Sequence, residues 1–423
     1  MTPTDPPFSR STRVAYFSPL PPKRTGIATY SAQLIPELAR HLTLTLHDTA
    51  PTDSRLAGLP VHDPVAHPAV LMRGDFDVRL YHLGNNPHFH LEIYHALLRQ
   101  PGVVVLHDAV LYFLVAGQGA GGLLKELCLE HGVRGLAEYQ RILQSCPRGE
   151  LLAYPHPGLH ALLGRVLRHA LGIIVHSETS RRQIRALGYS GPMETVPMLH
   201  HPASVAQAMR HDASRTRAEL GVAPGEVLLG SFGFIGSTKR IPVVLRALSR
   251  LLHMHIPFRF LVVGVGNDLE PEIRALGLSR YVIQTGFVEE VDFNRYLAVT
   301  DIVINLRYPS MGETSATVIQ AMAHGKPCIV TDHAWHSELP DETVCKLRWD
   351  DREEDQLVEQ LKVLAGDPAH RLSIGARARK YVLSKHDPKS VAKHYADFLD
   401  TKGIGASGWP SIADRFGGSA CLS

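Results

Sequence analysis

A chain of 423 residues, 44% hydrophobic and 20% charged, holds enough apolar sequence for two domain cores and reads as globular, not disordered or fibrous. A formal charge of +3 is too small to argue for nucleic-acid binding, although 25 histidines would add charge below about pH 6.5. The five cysteines form no CxxC pair, which fits reduced thiols in a cytoplasmic protein. The N-terminal MTPTDPPFSRSTR lacks an apolar signal core, and the longest apolar run, Val103 to Ala116, is broken by His107-Asp108. No membrane span is therefore expected, and membrane contact is left open only as a peripheral one.

The first ten or so residues read as disordered. Val14 to Ser18 is a short apolar strand, followed by the loop PLPPKRTG and a helix from about Gly26 to His41. Leu42 to Leu46, Val78 to Leu83 and Val103 to Leu106 are further strands, with a helix over Ile93 to Arg99. Such alternation predicts a parallel sheet covered on both faces. From Leu111 to about His169 the pattern is helical; then come a strand at Gly172 to Val175, a helix from Glu178 to Leu187 and a short strand at Thr195 to Pro197. His201 to Ser214 is polar and reads as a linker.

A second α/β series follows. Strands are expected at Val227–Phe232, Phe258–Val263, Val282–Gln284, Asp301–Leu306 and Cys328–Thr331. Helices are expected at Ile241–Leu252, Phe293–Val299, after Thr314, and at about 355–365, 369–384 and 388–399. The predicted division is residues 1–200, with a helical insert at about 111–169 and a C-terminal helix at about 388–400 packing back on it; residues 201–387; and a flexible tail, 401–423. The acidic run Asp350 to Asp355 reads as a charged helix start on a solvated surface, not a metal-binding motif. His88, His90 and His95 have spacings that suit neither one helical face nor a tetrahedral site, so no metal is expected.

Several short motifs sit where such strands end. Gly26 closes the loop after the first strand; Gly84-Asn85-Asn86 and His107-Asp108 follow two others. SFGFIGSTKR carries Gly233, Lys239 and Arg240; Gly264-Val265-Gly266-Asn267 and Thr285-Gly286-Phe287-Val288 end the next two strands. Last comes GETSATVIQAMAHG, in which Glu313 opens a small polar turn before a helix. In their order and spacing, from about Val14 to Leu399, these motifs resemble the retaining, nucleotide-sugar-dependent glycosyltransferases of family 4.

That resemblance implies the GT-B fold, an α/β architecture of two Rossmann-like doubly wound domains facing across a cleft. It implies transfer of a sugar from a nucleoside diphosphate sugar to a hydroxyl acceptor, without a metal or other cofactor. By the same resemblance Gly26, Gly233, Gly264 and Val288 offer backbone to the donor, and Lys239 grips its diphosphate with Arg240 as a second cation. His107 and Glu313 orient the sugar, Thr314 and Ser315 present a helix N-terminus, and Gln320 faces the ribose. Two departures stand out. Phe234 replaces the family's Arg, and the motif E-x(7)-E aligns on Gly312 and Gln320, with Glu313 one residue late. Asn85 and Glu338 are further cleft candidates, and Trp335 to Glu338 is expected to line the cleft. The bland alternatives are an ordinary strand-to-helix turn at Gly26, a satisfied strand-end histidine at His107 and simple helix capping at Glu313. The acceptor, whether saccharide, lipid-linked or small molecule, leaves no signature, and the insert is expected to set its choice. A nonenzymatic nucleotide-sugar-binding homologue, a sugar-nucleotide epimerase and a phosphorylase remain the competing readings.

Overall fold

Apolar runs bounded by loops become strands buried on both faces, and the helices between them force parallel pairing. The computed structural model describes residues 11–63 and 76–400. The expected N-terminal disorder and the tail fall almost wholly outside them. In the first sheet, β1 (Arg13–Phe17), β2 (Thr43–His47), β3 (Val61–His62), β4 (Val78–Leu83), β5 (Gly102–Leu106), β6 (Ala170–Val175) and β7 (Met193–Thr195) run in the order 3-2-1-4-5-6-7. In the second, β8 (Val227–Phe232), β9 (Phe258–Val263), β10 (Val282–Gly286), β11 (Ile302–Asn305), β12 (Cys328–Thr331) and β13 (Cys345–Leu347) run 10-9-8-11-12-13. All pairings within both sheets are parallel. Both sheets are Rossmann-like. Each reverses its winding once, between β1 and β4 and between β8 and β11, and the carboxyl ends there are where such sheets bind ligands.

The chain divides into two compact units. One holds the chain up to Leu199, the tripeptide Met311–Glu313 and the chain from Pro388; the other holds His200–Ser310 and Thr314–Asp387. In the first, the closing helix Pro388–Asp400 lies against the helix Gly26–Leu38, where the Tyr30 and Tyr395 hydroxyls hydrogen-bond at 2.9 Å in the interior. The segment 111–169 forms the helices Tyr112–Ala116, Gly119–His131, Arg134–Ser145 and Gly164–His169. Leu123, Leu127, Ile142 and Tyr154 give it a core of its own. In the second unit the helix Ile241–His253 packs Val244, Leu245 and Leu248 on β8 and β9.

Residues 201–214 are not a linker. Pro202–Ala208 and Ala213–Glu219 are helices, the second capped by Asp212, whose carboxylate accepts from the Ser214 and Arg215 amides. Their polar residues are the outer faces of helices that bury Val205, Ala208 and Thr216. The acidic run starts a helix, as expected, but is solvated only in part. Glu353, at the start of the helix Glu353–Gly366, is 2% exposed and bonds Arg240, while Glu354 and Asp355 pair with Arg246 and Arg250.

Candidate active site

In the second unit the carboxyl ends of β8, β9 and β10 are tied together by backbone. Gly233 donates its amide to Val263, Ile235 to Val265, Gly264 to Gly286 and Asn267 to Ile235. Gly233 and Gly264 both need positive φ, +96° and +138°. A Cβ on Gly264 would stand 2.2 Å from the Gly233 carbonyl oxygen, so only glycine fits there. Beside this ladder, a Cβ built on Gly233 would lie 3.6 Å from Lys239 Nζ and 3.5 Å from Thr317 Oγ1. The ammonium and the hydroxyl thus converge on Gly233. Lys239 is buried and donates to the Phe232 carbonyl at 2.5 Å.

Arg240 turns elsewhere. It sits at φ +53°, and its guanidinium donates to Glu353 at 2.7 Å, an acid 113 residues on that also accepts from Thr331 Oγ1 at 3.4 Å. Ser315 caps the helix Ala316–Ala323, accepting from the Val318 amide at 3.4 Å. Three polar side chains near this helix and the end of β11 are buried without a partner among the described residues: Thr314 Oγ1 and both amide atoms of Gln320 and of Asn305. An unmet buried polar group costs about 1–3 kcal/mol, which a ligand supplying partners would recover. His336, in the short turn Ala334–Glu338, is held neutral by burial, its pKa lowered to about 3, and its Nε2 has no protein partner. Val288 follows β10 and is half-buried. Phe234 is 70% exposed, and Val265 and Phe287 are also exposed, so an apolar side chain follows a glycine at the end of each of three adjacent strands.

In the first unit, His107 follows β5, one strand away from the winding reversal. His82 Nδ1 and His107 Nε2 lie 3.0 Å apart, so one ring donates to the other. His90 Nδ1 donates to the His82 carbonyl, His176 Nδ1 donates to the Val196 carbonyl, and Tyr30 stands edge-on to His107 at 5.2 Å. Burial drives the pKa values of His82 and His107 well below the ordinary histidine value, reinforced by the neighbouring imidazoles. Gly26 is exposed, nothing lies within 4 Å of a Cβ placed on it, and the helix it begins has no side-chain cap. The preceding loop is held by Asp48, which accepts from the Leu20 amide at 2.7 Å and pairs with Lys23. Asn85 Oδ1 accepts from the Phe113 and Leu114 amides, which gives it a local role at the helix Tyr112–Ala116.

The tripeptide Met311–Glu313 belongs to this unit. The amides of Ala109 and Val110 donate to the Met311 carbonyl at 2.8 and 3.0 Å, and Ser180 Oγ donates to the Gly312 carbonyl at 2.6 Å. Gly312 has φ +82°, and a Cβ on it would stand 2.4 Å from that of Ala109. Glu313 Oε2 accepts from the Met311 amide at 2.6 Å, so one carboxylate oxygen closes the turn. The small residues before the helix therefore have a packing reason as well as the one their motif implies. Sequence reasoning missed Thr317, Asn305, Asp48 and the His82–His107 pair. A hydroxyl in the first turn after Ser315 was a signal for Thr317, and an acid at the end of β2 was one for Asp48; the others had none. Among the described residues no three His, Cys, Asp or Glu side chains converge to hold a metal ion.

This architecture is the GT-B glycosyltransferase fold. Over 92% of this chain and 99% of the other it matches Anabaena HepE in complex with UDP-glucose, with TM-score 0.63 and 16% identity. Sucrose-phosphate synthase from Thermosynechococcus elongatus matches over 91% of this chain and 98% of that one, with TM-score 0.63 and 16% identity. WaaG, a glycosyltransferase involved in lipopolysaccharide biosynthesis, matches over 92% and 100%, with TM-score 0.61 and 15% identity. Residues 227–367 match the family model of the Glycosyl transferases group 1, so the second unit carries a domain of that kind. The D-inositol 3-phosphate glycosyltransferase of Nocardia farcinica (strain IFM 10152) is 26% identical over 225 residues, 51% of this chain. The matched stretch spans about half the length of that relative, 49%.

Proposed function

We propose that the protein is a retaining glycosyltransferase that moves a sugar from a nucleoside diphosphate sugar to a hydroxyl acceptor without a metal ion. The observation that carries this reading is the convergence of Lys239 and Thr317 on Gly233, inside the stretch that matches the group 1 family. A diphosphate set there would replace the Phe232 carbonyl as the partner of the ammonium. The helix start at Thr314 and Ser315 would add amide donors, so negative charge leaving with the nucleotide is met by a cation and a helix N-terminus. Gln320, Asn305 and Thr314 would find partners in the hydroxyls of the donor, and Phe234, Val265 and Phe287 would offer apolar surface to its base. His107 and Glu313 serve the sugar, and catalysis is mostly positioning. The HepE complex makes UDP-glucose the first donor to try.

The test is turnover of a donor panel by purified protein in the presence of a chelator, with the anomeric configuration of the product read by NMR. Release of nucleoside diphosphate with retained configuration is expected. An inverted product, or activity lost to the chelator and restored by a divalent cation, overturns the corresponding part of the proposal. Phe234 and Gln320, standing where a cation and an acid are expected, favour a second reading, a nucleotide-sugar-binding protein without transferase activity. Donor binding in calorimetry with no turnover for any acceptor would select it.

Lys239→Ala is expected to weaken donor binding by roughly 1.5–3 kcal/mol, the cost of a lost charged hydrogen bond. Unchanged affinity would remove Lys239 from the site. Glu313→Gln keeps an acceptor for the Met311 amide but gives up charge. Turnover should fall about tenfold or more with the melting temperature nearly unchanged. Parallel losses of activity and stability would reduce Glu313 to a residue of the turn.

A further inference from the structure

The helices Gly119–His131 and Arg134–Ser145 of the first unit sort their side chains by charge. The acids are buried or paired. Glu126 accepts from the Tyr94 hydroxyl and from Arg165, and Glu130 accepts from the Gly164 amide at 2.6 Å. Glu138 pairs with Arg141 and lies 3.7 Å from buried His160. The bases Lys125 and Arg134 face outward, exposed, and pair with no acid among the described residues. Close to these bases in the chain, Leu129 four residues after Lys125 and Val133 and Leu136 either side of Arg134, are apolar side chains that the fold leaves in water: Val133 is 93% exposed, Leu136 51% and Leu129 46%.

Gly135 sets this orientation. A Cβ there would stand 2.5 Å from the Leu127 carbonyl oxygen, so the two helices touch backbone to side on the face of Gly135 and Ile142. Val133 and Leu136 are thereby turned out at the hairpin tip. Three exposed aliphatic side chains at one tip are unusual for a surface with no occupant.

We propose that this hairpin tip docks on an anionic lipid bilayer. Aliphatic side chains at a tip can enter the boundary between headgroups and acyl chains, and unpaired bases beside them gain from anionic lipid. A second copy of the chain suits the surface poorly, because the same exposed bases would meet across the contact.

The test is co-sedimentation of the full chain with phosphatidylcholine vesicles, with and without phosphatidylglycerol. The protein should pellet with the mixed vesicles and stay in solution with phosphatidylcholine alone. The double variant Val133→Asp/Leu136→Asp should lower partitioning at least about tenfold, with an unchanged melting temperature and donor affinity. If it melts lower, Arg134→Glu gives the same reading without touching an apolar side chain. Four results overturn the proposal: no binding to mixed vesicles, equal binding to both kinds, undiminished binding by the variants, or a lipid-free dimer that the variants dissociate.

Discussion

Acidification from about pH 7 to about pH 5 is expected to unfold the first unit. Four of its histidines are buried and held neutral: burial lowers the pKa of His47 and His90 to about 4 and drives His82 and His107 well below the ordinary value. In the unfolded chain each titrates near 6.5. Above that pH neither state binds the protons, and stability is complete. As the pH falls, the unfolded chain takes up protons that the folded chain refuses, so stability is lost from about pH 6.5 downward to the folded pKa values. Each group costs up to about 1.4 kcal/mol per pH unit, so four of them over about 1.5 units cost up to about 8 kcal/mol. That matches the whole stability of an ordinary domain, about 5–15 kcal/mol. The His82–His107 hydrogen bond adds a geometric reason, because two protonated rings leave no acceptor between them. Urea midpoints should fall steeply below about pH 6. A flat profile down to about pH 4.5 would show that burial does not hold these rings neutral. His200, His324 and His336 act in the same direction in the second unit.

Gly264→Ala should cost the second unit roughly 2–6 kcal/mol. The backbone sits at φ +138°, where a side chain is strained by about 1–3 kcal/mol, and the new methyl would lie 2.2 Å from the Gly233 carbonyl, an overpacking worth about 1–3 kcal/mol more. The carbonyl cannot swing aside cheaply, because the Gly233 amide is held by the Val263 carbonyl and the Ile235 amide by that of Val265, while Gly264 is itself held through its amide by the Gly286 carbonyl. Relief by backbone movement would shift Gly233 against Lys239 and weaken donor binding too. A stability loss below about 1 kcal/mol in denaturant titration would show that the ladder at the ends of β8, β9 and β10 is softer than its geometry implies.

The long strands were legible because their signal is local. Val78–Leu83, Val227–Phe232, Phe258–Val263 and Cys328–Thr331 are apolar runs buried nearly throughout, and their ends coincide with the expected ones. β3, two residues long, and β13, three, are too short for periodicity to register. The helices within 202–219 were hidden because they bury only a few side chains each. The same contrast runs through the candidate site. Gly233 and Gly264 announce themselves, since a turn after a strand with positive φ selects glycine. Asn305 does not, because an amide inside an apolar strand looks like any other polar interruption until its lack of a partner is seen. The engagement of Arg240 with Glu353 depends on a chain separation that no local pattern spans.

The Tyr30–Tyr395 contact also has a consequence for the order of events on the ribosome. The first unit begins at the amino end, yet the helix that covers Gly26–Leu38 is Pro388–Asp400, the last described element. At about 5–20 residues per second, the stretch separating Leu199 from that helix takes roughly 10–40 s to make. Throughout that interval Tyr30 faces water or whatever chaperone shields it, while every strand of the second unit emerges and can pair. The domain translated first is therefore completed last, and a chain terminated just after Asp387 would carry a finished second unit tethered to an open, aggregation-prone first one.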